Sequence, residues 1–130
     1  MTFEPIPTEI DLLGKNIVNC CYQVHKNLGP GLLEKIYEAC FCYELDKMNI
    51  PYQRQVIIPV IYDGKLLDEG LRIDVLVNNE VICEFKAVES TLPVFEAQLL
   101  TYLKLSKKRL GYLVNFNVKN IGDGIKRFVL

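Results

Sequence analysis

The order of elements predicts a mixed α/β (α+β) fold, a β-sheet of about five strands flanked by three helices. Apolar residues recur at helical spacing in three stretches, and strand-like alternation or short apolar runs fill most of the remainder. One helical stretch also stands between two strand-like ones, as expected for a crossover that lets those strands enter one sheet.

In chain order, a proline-punctuated lead is followed by a predicted helix over 9–28, with Ile10, Leu13, Ile17, Cys20, Val24 and Leu28 at helical spacing. Gly29-Pro30-Gly31 stops it, because Pro30 disfavours helix at the residue before it and the flanking glycines permit a tight reversal. His25, the only histidine, lies in the last turn, where an imidazolium favours the negative end of the helix dipole; as a lone histidine it is also a candidate site group. A second helix is expected over 32–48, with Glu34, Tyr37, Glu38 and Phe41 on one stripe. Tyr37 and Phe41 read as core, and an acid in the first turn suits the positive end of the dipole. Residues 53–62 read as a strand, closed by the Asp63-Gly64 turn signal, and 66–70 lead into a central hairpin. A third helix over 92–108 is opened by Thr91 and Pro93 and lined by Leu92, Phe95, Leu99 and Leu103, with Gln98 and Tyr102 four apart on a neighbouring stripe. Strands over 109–116 and 125–130 complete the chain, the second after Gly122-Asp123-Gly124.

The central hairpin, RIDVLVNNEVICEFK, carries the chemistry. Leu71, Ile73, Val75 and Val77 are expected on one face of its first strand, with Arg72, Asp74 and Leu76 on the other. Val81, Cys83 and Phe85 share one face of its second strand, and Glu84 and Lys86 share the opposite one. Ionised groups within half-buried strands are costly to desolvate unless paired or bound to a metal. A three-residue loop, Asn78-Asn79-Glu80, or a bulge of equal effect, pairs Val77 with Val81, Asp74 with Glu84 and Arg72 with Lys86. A two-residue turn slips the register by one and separates the two acids.

Half of the 130 residues are apolar and 24% are charged, an ordinary globular balance without repeats, and one domain over 1–130 is expected. The acidic first residues lack a basic-then-apolar signal, and no apolar run approaches a membrane span of ~18 residues, so a cytoplasmic protein without membrane partners is expected. Five cysteines in CC and CxC spacings do not form the paired knuckles of a structural zinc site, and read as buried thiols in a reducing compartment. The net charge of −1 hides an asymmetry: Lys104, Lys107, Lys108, Arg109, Lys119, Lys126 and Arg127 face a single late acid, Asp123. That basic tail suits a phosphate backbone, or equally a solvated face offsetting the acidic first part.

Asp74 and Glu84 supply two carboxylates of the kind that Mg²⁺ or Mn²⁺ prefers, and the Phe85 carbonyl can add an oxygen. Glu34 is then expected to reach the metal through water, while Lys86 orients or helps deprotonate an attacking water or offsets charge on phosphorus. D74-x9-E84-x-K86 resembles the active-site pattern of the PD-(D/E)xK nuclease superfamily. More narrowly, Gly31-Leu-Leu-Glu34-Lys-Ile-Tyr37, GLRID around Asp74 and VICEFKAVE around Lys86 resemble the GxxExxY family of small bacterial and archaeal proteins. The resemblance covers almost the whole chain, although Ile73 stands where the superfamily pattern has its proline. It implies a restriction-endonuclease-like core, with Glu34, Asp74, Glu84 and Lys86 catalytic. Gln98-x3-Tyr102 resembles the QxxxY element that follows E-x-K in some members, so Gln98 and Tyr102, with Arg72 of GLRID, are expected to position substrate.

Two functions are therefore expected from different classes: a Mg²⁺- or Mn²⁺-dependent nuclease acting on DNA or RNA, and a non-catalytic binding or assembly module in which Lys86 neutralises Asp74 and Glu84. A domain this small covers little nucleic acid alone, so a homodimer or larger assembly is expected.

Overall fold

The computed structural model describes residues 4–130, so the first three residues of the lead, and of the expected domain, lie outside the described ones. Helix α1 (Thr8–Leu28) and helix α2 (Glu34–Lys47) precede a meander of β1 (Tyr52–Tyr62), β2 (Lys65–Val77) and β3 (Val81–Lys86); α3 (Pro93–Ser106), β4 (Leu110–Asn115) and β5 (Ile125–Val129) follow. The five strands lie in sequence order, antiparallel except for the parallel pair β3 and β4, which α3 connects. This is the α+β arrangement that the order of elements predicts.

The sheet buries both faces. Val75 and Val77 of β2, Val81, Cys83 and Phe85 of β3, and Tyr112 and Val114 of β4 pack with Ile17, Cys21, Tyr37, Phe41 and Leu45 of α1 and α2. On the other side Ile73, Leu76, Ile82 and Leu113 pack with Leu99 and Leu103 of α3. Burying both faces explains why β4 is apolar without alternation. The five cysteines are free thiols, and all but Cys40 are buried.

Turn chemistry sets the connections. Gly31 has φ +101, a conformation that side chains rarely adopt, and the reversal it allows is clasped by Tyr37. The Tyr37 hydroxyl donates to the Gly29 carbonyl (2.7 Å) and accepts from the Leu32 N–H (3.1 Å), while its ring stacks on Phe116 at 4.5 Å. His25 Nε2 lies 2.7 Å from the Val118 carbonyl oxygen, tying α1 to the segment after β4, so this histidine is a structural strut. The third helix ends at Ser106 instead of reaching 108, because Lys107 is left-handed.

The expected face of β2 needs correction. Ile73 packs on the α3 side with Leu76, whereas Val75 and Val77 pack on the α1 and α2 side. Two residues apart on a regular strand share a face, so the alternation of β2 has a break between Ile73 and Val75. Opposite the break, Gln55 in β1 has φ +52. Arg54 pairs with Val75 and Val56 with Ile73, yet Gln55 and Asp74 between them do not pair.

Candidate active site

The site grows out of this break. Asn78 and Asn79 both have positive φ, the Glu80 N–H donates to the Val77 carbonyl, and Val77 pairs with Val81. The three-residue loop is therefore present, and with it the register that places Asp74 toward Glu84. The ladder itself stops at Val75 with Cys83, one pair short of the acids. Side chains continue it: the Phe85 N–H donates to Asp74 Oδ2 (2.9 Å), and the Asp74 N–H points at Glu84 Oε1 (3.4 Å). The expected pairing of Arg72 with Lys86 does not form, because the β2–β3 ladder ends at Val75, and Arg72 is paired on its other edge with Ile57 of β1.

Glu84 is 8% exposed. Burial, and then the neighbouring Asp74 carboxylate, push its carboxyl up to about 9, only weakly opposed by Lys86. Lys86 Nζ lies 4.4 Å from the centroid of the Phe95 ring on α3. Among the described residues it forms no ion pair with either acid. From α3, Gln98 Nε2 donates to the Tyr102 hydroxyl (2.8 Å). The Tyr102 phenol is raised by burial and then by the Glu84 carboxylate, against which the Gln98 hydrogen bond works.

Asp74 and Glu84 thus lock together at the β2–β3 seam with Lys86 against Phe95 of α3, and Gln98 and Tyr102 bond to one another on that same helix. Glu34 makes no hydrogen bond or ion pair with them. It is the exposed first residue of α2 and lines a groove with Leu32, Leu33, Lys35 and Ala87, the residue after Lys86. Among the described residues, no three His, Cys, Asp or Glu side chains converge on a metal-sized space. Arg72 is exposed on β2 and makes none of the hydrogen bonds of the cluster.

Sequence reasoning missed two supports. Glu38 is 6% exposed and accepts from Arg54 Nε and Gln55 Nε2, each at 2.9 Å. Its place on the same stripe as Tyr37 and Phe41 was the available signal, since a buried carboxylate demands donors. Asn115 is 3% exposed; its amide accepts from the Val88 N–H and donates to the Val88 carbonyl, while the Phe116 N–H holds the Lys86 carbonyl. An asparagine ending an apolar strand was the signal there.

A family model described as the PD-(D/E)XK nuclease superfamily matches residues 11–128. No curated protein matches the chain. Among solved structures, the crystal structure of SSO0001 is similar, with a TM-score of 0.55 and 22% identity, covering 74% of this chain and 50% of that one. The chain therefore spans about half the length of that protein, and at this identity the likeness speaks to fold alone.

Proposed function

This chain belongs to the PD-(D/E)XK nuclease superfamily, and on that premise we propose that it is a Mg²⁺- or Mn²⁺-dependent nuclease that hydrolyses phosphodiesters of DNA or RNA. The observation that carries the reading is the interlocked pair: half-buried Asp74 bonds the Phe85 N–H and turns its own N–H to buried Glu84, no cation is bonded to either, and burial and then Asp74 raise the Glu84 carboxyl to about 9. A corner short of positive charge, built from two carboxylates, fits a hard divalent ion that takes its remaining oxygens from water and phosphate. Asp74 and Glu84 would hold the ion, the Phe85 carbonyl would add an oxygen, and Glu34 would act from the groove through water. The Phe85 N–H already points at Asp74, and in a strand the N–H and C=O of one residue leave on the same edge.

Bound there, the ion would polarise the phosphate and acidify a water. Lys86, parked over Phe95 within reach of the acids' field, would orient that water or offset the charge growing on phosphorus. The hydrogen bond from Gln98 orients the Tyr102 hydroxyl on α3, which suits a pair that would position a substrate strand, and Arg72 would contact the backbone farther along β2.

The assembly-module reading requires Lys86 to neutralise the acids directly, and its place over Phe95 counts against that. No helix of the described residues is long and apolar enough to cross a membrane, and five free thiols suit a reducing, cytoplasmic setting. Residues 1–130 would act as one nuclease-like domain, paired with a second copy or a larger assembly to cover its substrate. A strict monomer in analytical ultracentrifugation removes that last element.

The test is cleavage of labelled single- and double-stranded DNA and RNA with Mg²⁺, Mn²⁺ or EDTA, with Asp74→Ala and Lys86→Ala proteins alongside. Metal-dependent cutting that both substitutions reduce by about 10²-fold or more supports the reading. A folded protein that neither cuts nor binds Mn²⁺ overturns it.

A further inference from the structure

Six residues other than glycine have positive φ among those described. Asn49, Asp63, Asn78 and Asn79 sit in turns and are the residue types that tolerate it, and Lys107 caps α3. Gln55 alone lies inside a strand. A left-handed glutamine in mid-strand persists only where its surroundings impose it. The exposed Gln55 side chain is bonded by the buried carboxylate of Glu38, which accepts from it and, beside it, from Arg54.

The consequence reaches the acids. Gln55 lies opposite Asp74, and this position is unpaired in the ladder between β1 and β2 while the pairs on either side, Arg54 with Val75 and Val56 with Ile73, are intact. Released there, the Asp74 N–H turns toward Glu84 and its carboxylate takes the Phe85 N–H. We propose that Glu38 is a positioning residue: by anchoring Gln55 it holds the left-handed break in β1 that sets the Asp74 carboxylate against β3. Its bearing on activity rests on the nuclease reading, whereas its bearing on the Asp74 geometry does not.

The experiment compares the full chain with Glu38→Ala, Glu38→Gln, Gln55→Gly and the double variant Glu38→Ala/Gln55→Gly. Hydrogen exchange of the Phe85 amide reports the bond to Asp74 directly, and calorimetric Mn²⁺ affinity and the kcat and KM of cutting report the site. Glycine adopts positive φ without an anchor, so Gln55→Gly should make Glu38 dispensable. Glu38→Ala is expected to deprotect the Phe85 amide and weaken Mn²⁺ by about 10-fold or more, with kcat falling while KM stays within about twofold; the double variant recovers most of both. Where Glu38→Ala fails to fold, Glu38→Gln decides. It keeps an acceptor for Gln55 but drops the charge beside Arg54, so a positioning role predicts a lower Tm with parent-like Phe85 protection. Parent-like protection in folded Glu38→Ala, a loss that Gln55→Gly does not reverse, or deprotection in Glu38→Gln overturns the proposal. A parent chain that neither cuts nor binds Mn²⁺ sinks the nuclease reading, and the Phe85 exchange still decides this one.

Discussion

Glu84 is the residue whose environment most constrains behaviour. Its carboxyl is raised from 4.5 to about 9, chiefly by burial and then by Asp74. Between those values the folded chain holds a proton that the unfolded chain releases, so this contribution to stability is complete below 4.5 and is lost as pH rises toward 9. With a chelator present, chemical denaturation should show stability falling by up to about 1.4 kcal/mol per pH unit across that window. Glu84→Gln should flatten the slope, and an equal slope in the variant would refute the assignment. Lys86 gives a second residue-scale prediction. Because it touches Phe95 and not the acids, Lys86→Met should cost about 1 kcal/mol or less while abolishing cutting. A loss above about 3 kcal/mol would restore the ion-network reading. The charges at 74, 84 and 86 were legible in the sequence because ionised groups in apolar strands stand out. That Lys86 packs over an α3 aromatic, and that burial beside Asp74 raises the Glu84 carboxyl, depend on tertiary distances that periodicity does not carry.

Among the elements, α2 does three things with consecutive turns. Tyr37 clasps the glycine reversal, Glu38 anchors β1, and Glu34 remains exposed beside the exit of β3. In the GxxExxY pattern, the glycine and the tyrosine therefore have structural work and the glutamate has none visible in the packing. Tyr37→Phe should keep the ring stack but leave the Leu32 N–H and Gly29 carbonyl without their partner, costing about 2 kcal/mol in denaturant melts. Glu34→Gln should cost under about 1 kcal/mol, the worth of a first-turn acid, and still slow cutting by about 10-fold or more. Unchanged cutting by Glu34→Gln would remove it from the site. Helices and strands were readable to within a few residues at their ends, since each buries a face with its own period. The β2 alternation was not, because a left-handed glutamine has no sequence signature and its cause lies on another element.

At the scale of the whole molecule, helices cover both faces of the sheet, and the acids lie where β2 changes from one core to the other. Crossing between cores breaks the ladder at Asp74, and the exposed backbone edge of β3 becomes available to a side chain. The molecule thus places these carboxylates at a seam where regular pairing is already lost, and on the proposed reading a bound cation would replace a proton there. Stability and binding should then be linked. Mn²⁺ at about 100 times its Kd should add about 2.7 kcal/mol to folding, with more gained at high pH, where Glu84 gives up its proton without competition. Asp74→Ala removes the charge that opposes Glu84 ionisation, so the variant should respond to Mn²⁺ far less than the parent while being equally or more stable in chelator. Thermal melts of both proteins, with Mn²⁺ and with EDTA at two pH values, measure all four terms. An Asp74→Ala protein that melts well below the parent in EDTA would mean that the bond to Phe85 stabilises the seam more than the paired acids strain it. The site would then be a structural joint first and a metal centre second.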